Sequence, residues 1–367
     1  MLHIDFWKLG LENPRLNAWF GGIYRSFFQA LERAGTKVTL SMLAPDREAD
    51  VLVVPVGGGQ DSSSAQAMSG FQGSSVLYVP SGQAWFRRDF LERWREYILF
   101  AYGTDFSSLT PSLYETVGIK YHCLPFASDP AVMRPLDLSK LYDVVFVGNP
   151  GSGTGRHEYV EALMKAANNR RVLLVGPGWE RYGYPFQCVA WGDLLNLVYN
   201  TAYICVNILN DEQKRGAQTR LDANHRLFDL AMAGCFQISN ALEVVQRYFD
   251  GSEVLAFDTP EEWVTAILYY LAHPSQTDSY RVAARRRVLA EHTWDHRATR
   301  FMKLVRSSLD DWRKKPRTTS LLLSAGRYRD TILPPYGVTK MVRRAGSRLL
   351  GRLLRLRKQG SQSLWDN

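Results

Sequence analysis

The chain has 367 residues, of which 46% are hydrophobic and 12% aromatic, and its formal net charge is +9. This length suffices for two domains with separate cores, and the composition is that of an ordinary globular protein. No apolar run reaches 18 residues, which excludes a membrane-spanning helix of the usual kind, and the N-terminus lacks the layout of a secretion signal. Four widely spaced cysteines in apolar, strand-like surroundings predict free thiols in a reducing compartment, and therefore a cytoplasmic protein.

The first part of the chain alternates between strand and helix patterns. Apolar runs predict strands at 3–7, 37–41, 51–56, 75–79, 97–101 and 119–124, and helical periodicity predicts helices at 22–34, 83–94 and 106–117. Strands that alternate with helices are typical of a parallel, doubly wound sheet. Asp105, Asp61 and Ser81 follow strands of this part, at the edge where ligands bind in such sheets, and Asp105 is our candidate for the catalytic base.

A segment rich in small residues lies between the third and fourth strands. In residues 57–75, 11 of 19 positions are Gly or Ser. This composition predicts a mobile loop that packs no core. Its place after a strand suggests a lid or an acceptor-side loop, and a surface excursion without function is the alternative.

The same alternation of strand and helix patterns continues after a proline-rich segment at 125–141. Strands are predicted near 143–148, 171–176, 202–208, 236–239 and 253–257, with helices between them and a helical pattern from 277 to 312. The fold class is therefore α/β, with two Rossmann-like doubly wound domains that face each other across a cleft. We expect domains at 1–128 and 129–312 and a tail at 313–367. A (β/α)8 barrel is the alternative, and the proline-rich break argues against it.

A glycine-rich turn follows the first strand of this second half. The sequence YDVVFVGNPGSGTGR (142–156) has four glycines between an apolar run and the next helical pattern. Strand, glycine turn and helix is the arrangement that brings backbone N–H groups close to a diphosphate. The segment is neither a Walker A loop nor a GxGxxG fingerprint, and a plain tight turn remains an alternative.

Three polar residues stand at the start of a predicted helix in DANHRLFDLAMAGCFQISNALE (222–243). They are Asn224, Arg226 and Asp229, in the turns where backbone N–H groups lack partners and the helix dipole is positive. An arginine there can bind a phosphate through two hydrogen bonds, and a carboxylate one turn later can bind two sugar hydroxyls. An ordinary amphipathic helix with a solvated edge is the alternative.

The tail carries the basic charge of the chain. From Trp312 onward there are 14 Lys and Arg against two Asp, a net +12, which leaves −3 for residues 1–311. Between 338 and 358 apolar residues recur at helical spacing among arginines, which predicts a basic amphipathic helix and an anionic membrane surface as its partner. Nucleic acid, an acidic protein and the helix's own domain are the alternatives.

His292 and His296 are four residues apart in EHTWDHR (291–297), a spacing that zinc ligands use. No Glu follows the first histidine and no third ligand is evident, so we predict no metal. His292 is expected to pack near the last helix.

The order and spacing of these pieces resemble the C-terminal half of CgeB-like glycosyltransferases, which belong to the group-1 glycosyltransferases of GT-B architecture. The resemblance covers roughly residues 120–300. Its motifs are LPFASDPAVMRP (124–135), DVVFVGN (143–149) with Arg156, VLLVGPGW (172–179), CVAWGDL (188–194), RLFDLAMAGCFQISN (226–240) and FDTPEEWVTAILYYLAHP (257–274).

The resemblance implies a transferase that moves a sugar from a nucleotide-sugar donor to a glycan, lipid-linked or other hydroxyl acceptor. It assigns Gly148, Asn149 and Arg226 to the diphosphate, with Arg226 as a catalytic residue, and Asp229 to the ribose hydroxyls. Arg156 and Asn224 are further donor-binding candidates, and Gly176, Gly178, Trp179 and Trp191 would flank the nucleobase.

The chain departs from the broader superfamily in one respect. Many retaining members carry two glutamates seven residues apart, the second at the position of Asp229. The partner position here is Leu221, and Asp222 is one place away. Retaining and inverting stereochemistry therefore both stay open.

No Asp-x-Asp motif is present, so no metal cofactor is expected and the guanidinium replaces it. A nucleotide-sugar epimerase, a non-catalytic glycan- or membrane-binding protein and a DNA-modifying glycosyltransferase are the alternative functions. Peripheral attachment to the inner face of a membrane is expected only if the tail binds lipid.

Overall fold

The computed structural model describes residues 1–8, 14–57, 61–71, 73–80, 87–151, 155–184, 192–209 and 221–314, with only the backbone for 14–23. Its first part contains strands β1 (Leu2–Trp7), β2 (Thr36–Ser41), β3 (Val51–Pro55), β4 (Ser74–Val79), β5 (Ile98–Gly103) and β6 (Tyr121–Cys123). The helices of this part are α1 (Pro14–Arg33), α2 (Asp61–Phe71), α3 (Arg88–Trp94) and α4 (Leu109–Glu115), and Arg95–Tyr97 form a 3-10 helix.

The six strands form one parallel sheet in the order β2-β1-β3-β4-β5-β6. Strands β3 and β4 are buried at every position, because helices cover both faces of the sheet. This explains why their sequences are continuous apolar runs and show no alternation.

The second part contains strands β7 (Tyr142–Val147), β8 (Val172–Val175), β9 (Ala202–Asn207), β10 (Gln237–Asn240) and β11 (Leu255–Phe257). Its helices are α5 (Arg156–Ala166), α6 (Gly192–Asn200), α7 (His225–Met232), α8 (Leu242–Gln246), α9 (Pro260–Ala272), α10 (Asp278–Glu291) and α11 (Trp294–Lys314), with 3-10 helices at Glu180–Tyr182 and Pro274–Thr277. The five strands are parallel in the order β11-β10-β9-β7-β8. The C-terminal ends of β9, β7 and β8 therefore lie side by side.

The last described helix, α11, returns to the first sheet. Its apolar face, which includes Phe301 and Val305, packs in one buried cluster with Phe6 and Phe100 of the first sheet. Ser128, between β6 and β7, forms an isolated bridge with Thr293 just before α11. The chain thus crosses between the sheets twice, at neighbouring places.

The predicted fold class is confirmed: two parallel α/β sheets follow one another in the chain, and the barrel alternative is wrong. All eleven predicted strands are present. The predicted domain boundaries stay predictions, and residues 315–367, with the predicted basic helix, lie outside the described residues. Within the described ranges, no helix has the length and apolar character that crossing a membrane requires.

The prediction of a mobile loop at 57–75 is wrong. Residues 61–71 form helix α2, which buries Ala65, Met68 and Phe71. These apolar residues recur at helical spacing and pack in one cluster with Leu52 of β3. Serines are typical of loops, but small polar residues are also tolerated on a helix that packs closely against a sheet. Ser64, for example, is fully buried and donates a hydrogen bond to the carbonyl of Pro55.

Cys123, Cys205 and Cys235 are free thiols, while Cys188 lies outside the described residues.

Candidate donor site

Two glycine turns meet at the C-terminal edge of the second sheet. A Cβ atom at Gly176, which has a φ of +135°, would lie 2.7 Å from the carbonyl oxygen of Gly148. The Gly148 N–H donates to Val175 O at 2.7 Å. Only glycine permits this approach of the turn after β8 to the turn after β7. The two turns therefore form one continuous stretch of backbone.

Trp179 holds this backbone in place through a hydrogen bond from its buried side chain. Its side chain is fully buried, and its Nε1–H donates to Gly148 O at 2.8 Å. The ring supports the turn from inside the domain, and the predicted place of Trp179 beside a nucleobase stays a prediction. Gly178 uses its own N–H to bond Glu180 Oε2 at 2.9 Å.

Helix α7 starts beside these turns with a side-chain cap. Asn224 is its N-cap, and Asn224 Oδ1 accepts from the N–H of Leu227 at 3.1 Å. The Asn224 Nδ2 group donates to Asn207 Oδ1 at 2.8 Å, which joins the helix start to the end of β9. Asn224 thus sets where α7 begins and how it is oriented.

The guanidinium of Arg226 lies against the first glycine turn. Its Nη2 would be 3.1 Å from a Cβ atom at Gly148, and its Cζ lies 5.3 Å from the centre of the Phe146 ring. Nη1 donates to Asn207 Oδ1 at 3.2 Å, and Arg226 is only 6% exposed. Nε is buried and has no hydrogen-bond partner in the described part of the chain. A buried cation with an amide as its described partner is suited to bind an anion.

Arg156, the first residue of α5, forms hydrogen bonds with Asn149 of the same turn. Its Nη1 donates to Asn149 O at 3.1 Å and lies 3.3 Å from Asn149 Oδ1, and its Nε donates to Ile208 O at 2.9 Å. It therefore ties the turn after β7 to the end of β9. A direct contact of Arg156 with the donor stays a prediction.

Asp229 lies one turn after Arg226 and is directed at the connection between the sheets. Its Oδ1 accepts from Ser128 Oγ at 2.7 Å. Burial raises the pKa of Asp229 to about 7, against the opposing effects of Ser128 and Arg226. Asp229 as a residue is 8% exposed, and its predicted contact with ribose stays a prediction.

Two residues of this region, Asn207 and His225, were not among the site residues predicted from the sequence. Asn207 is fully buried and accepts from both Asn224 and Arg226, while its Nδ2 donates to Ser239 Oγ at 3.3 Å. His225 lies edge-on to Phe126, and burial together with the Arg226 and Arg156 guanidiniums lowers the pKa of His225 to about 3. Asn207 had one signal, a polar residue closing an apolar strand at the ligand-binding edge.

Asp105, the predicted catalytic base, lies in a dense set of hydrogen bonds. It is fully buried and accepts hydrogen bonds from Ser107 N, Ser107 Oγ, Thr110 Oγ1 and Leu221 N. Both of its oxygens are occupied by these donors, and a catalytic role of Asp105 stays a prediction. Its role is to join the first sheet to the segment before α7, where Thr104 Oγ1 also donates to Asp222 Oδ2 at 3.0 Å.

The remaining predicted residues lie elsewhere or outside the described residues. Trp191 is outside them. His292 Nδ1 lies 3.0 Å from Arg297 Nη2, and His296 Nδ1 lies 2.7 Å from Thr293 Oγ1. In the described ranges, no group of three or more His, Cys, Asp or Glu side chains could hold a metal ion.

The chain is similar to known glycosyltransferases. Residues 156–303, which run from the start of α5 into the first half of α11, match the family model described as glycosyl transferase-like. The CgeB-like subfamily stays a prediction. No curated protein matches the sequence.

Solved structures show the same architecture at low sequence identity. Sucrose-phosphate synthase from Thermosynechococcus elongatus is 13% identical, with a TM-score of 0.60 over 85% of this chain and 100% of that chain. HepE from Anabaena in complex with UDP-glucose is 11% identical, with a TM-score of 0.57 over 84% and 100%. A glycosyltransferase from Rickettsia africae ESF-5 is 9% identical, with a TM-score of 0.57 over 86% and 99%. The fold is therefore that of the GT-B glycosyltransferases.

Proposed function

We propose that this glycosyltransferase moves a sugar from a nucleotide-sugar donor to a hydroxyl group of a glycan or lipid-linked acceptor. The observation that carries the proposal is the buried guanidinium of Arg226 against Gly148. Two findings agree with it: the glycosyl transferase-like match and the UDP-glucose complex of HepE, which shares the fold.

The chemistry follows from the charge that develops during transfer. When the bond between the anomeric carbon and the diphosphate breaks, the departing oxygen gains negative charge. Arg226, in the first turn of α7, brings a cation beside the turn where we place the diphosphate. Asn207 and Phe146 hold the guanidinium before the donor arrives, so little reorganisation is needed.

We further propose that transfer needs no metal, because Arg226 supplies the charge that a divalent ion supplies elsewhere. Turnover should then persist in the presence of EDTA. Loss of turnover in EDTA, restored by a divalent ion, would contradict this part of the proposal.

Retention of the anomeric configuration is the stereochemistry that we propose. In a front-face reaction the leaving diphosphate itself can take the proton of the acceptor hydroxyl, and the occupied carboxylate of Asp105 is then not needed. The anomeric coupling constant of the product, measured by NMR before mutarotation, distinguishes retention from inversion.

Replacement of Arg226 tests the proposal directly. Arg226→Ala should weaken transition-state stabilisation by about 1.5–3 kcal/mol, the scale of a lost charged hydrogen bond, and so lower kcat/KM for the donor. Arg226→Lys keeps the charge but loses the paired donors, and an intermediate value is expected.

The exposed Arg33 of α1, paired with Asp295 of α11, provides the control, and Arg33→Ala should leave turnover unchanged. A panel of UDP-, GDP-, CMP- and dTDP-sugars in a thermal-shift assay identifies the donor first. Equal turnover of the Arg226→Ala variant and the wild type would refute the assignment. Donor consumption without an acceptor would indicate an epimerase instead.

A further inference from the structure

A groove lies at the far edge of the second sheet, away from the donor turns. It has a cavity of about 480 Å³ between β11 and α9. Phe257, Ala266 and Tyr270 are half-buried in its lining, and Thr265 and Tyr269 are more exposed. Its volume is in the range of ligand-binding cavities, and its walls are mainly apolar.

Tyr269 forms an aromatic wall that is exposed yet held in place. The residue is 45% exposed. Its ring stacks on His273 with 4.3 Å between centroids, and its hydroxyl donates to Gln276 Oε1 at 3.1 Å. A side chain that is already ordered loses little conformational entropy when a partner packs on it.

The charge of the groove is negative. Glu261 and Glu262 line it and are exposed, and its described lining contains no Lys or Arg. A positively charged group would therefore be attracted, and it could also lie over the face of Tyr269.

The groove borders a strand edge. β11 pairs with β10 on one side, and in the described part of the chain no strand lies on its other side. An open edge of this kind can accept an extended chain as an additional strand, with backbone hydrogen bonds providing affinity and side-chain pockets providing specificity.

We infer that this groove binds an extended, Lys- or Arg-bearing segment of a partner protein, which adds to β11 and inserts an apolar side chain against Phe257 and Tyr269. The negative rim, the fixed aromatic wall and the open edge all favour the same ligand. The site is separate from the donor turns at β7 and β8, so the inference does not depend on the proposed transfer reaction.

The probe is a fluorescein-labelled peptide of alternating Lys and Val with one central Phe, titrated into the full-length protein and followed by anisotropy. Saturable binding that weakens with salt is expected. Tyr269→Ala and the double variant Glu261→Gln, Glu262→Gln should each weaken binding by about tenfold. Gln at position 262 can still accept from the Thr259 hydroxyl, and the backbone N–H of residue 262 still donates to Thr259 Oγ1, so the helix start is preserved.

Matched controls are Tyr203→Ala, an equally exposed tyrosine on β9, and Glu243→Gln, on α8. Both should bind the peptide as the wild type does. A peptide with Glu in place of Lys, and one with alternate backbone nitrogens methylated, should bind at least about tenfold more weakly.

Three results would overturn the inference: no saturable binding, equal binding of the Lys and Glu peptides, or groove variants that bind like the wild type. Equal binding of the methylated peptide would overturn strand addition. Thermal unfolding of each variant confirms that it is folded, and Tyr269→Leu, which removes the aromatic ring but keeps part of its volume, replaces Tyr269→Ala if the latter is not.

Discussion

The residues of the donor site are linked through the buried guanidinium of Arg226. Asn207 accepts one of its N–H groups, Phe146 lies under its plane and Gly148 leaves room for it. The sequence predicted Arg226 because an arginine in the first turn of an apolar helix stands out. It could not predict Asn207 as the partner, since that contact joins residues of two elements whose relative placement only the folded sheet defines.

Trp179 offers a test of how the glycine turn is held. Trp179→Phe removes the hydrogen bond to Gly148 O but keeps an aromatic ring, and it should lower the free energy of unfolding by about 1–3 kcal/mol. The released turn should also weaken donor binding. Chemical denaturation and donor titration measure the two effects.

A matched control for this substitution exists in the same domain. Trp263 is also fully buried, and its Nε1 has no hydrogen-bond partner among the described residues. Trp263→Phe therefore reports the loss of packing alone. If the two variants were equal in stability and donor affinity, the hydrogen bond of Trp179 would have no measurable role.

Asp229 predicts a pH dependence of stability. Burial raises its pKa from the ordinary 3.8 to about 7, so between these values the folded state binds a proton more tightly than the unfolded state. Stability should therefore fall as pH rises through this window, by at most about 1.4 kcal/mol per pH unit, and level off above it. Asp229→Asn cannot ionise and should not show this fall.

The measurement is the free energy of unfolding of both proteins, without nucleotide, at several values from about pH 4 to about pH 8. Glu158→Gln, a substitution of an exposed carboxylate on α5, corrects for general effects of charge. Parallel curves for the wild type and Asp229→Asn would contradict the assignment.

At the scale of elements, the strands were predictable and one helix was not. Strands buried on both faces must be apolar throughout, and a short apolar run such as Val51–Pro55 is typical of a strand in that position. Helix α2 is different, because its serines and glycine disfavour a helix locally and only its packing against the sheet stabilises it. The contacts of α2 with the sheet therefore determine that this segment is a helix.

Met68 tests whether packing holds α2 in place. It is 3% exposed and lies on the buried side of α2, in one cluster with Leu52 of β3, so Met68→Ala should lower the free energy of unfolding by about 2–5 kcal/mol. Gln66→Ala, on the exposed side of the same helix, should change it by less than about 0.5 kcal/mol. Denaturant unfolding gives both values, and a small effect at Met68 would mean that α2 contributes little to the core.

At the scale of the molecule, the two sheets are joined by the return of α11. Arg297, near its start, donates from Nε to Pro125 O at 2.9 Å, and from Nη2 to Phe126 O and Nη1 to Glu291 O, both at 3.0 Å. It is 6% exposed, and burial lowers the pKa of Arg297 to about 10. One side chain thus satisfies carbonyl groups of the first crossing and of the second.

Arg297→Met should therefore destabilise the whole chain, since it keeps much of the side-chain volume but leaves three carbonyl groups without their donor. We expect a loss of about 3 kcal/mol or more in the free energy of unfolding. Arg33 also contacts the first turn of α11, through the exposed Asp295, and Arg33→Ala should cost at most about 1 kcal/mol because water competes for that pair. Similar losses in the two variants would show that the crossings are held by the packing of Phe301 and its neighbours, with no special contribution from the buried guanidinium.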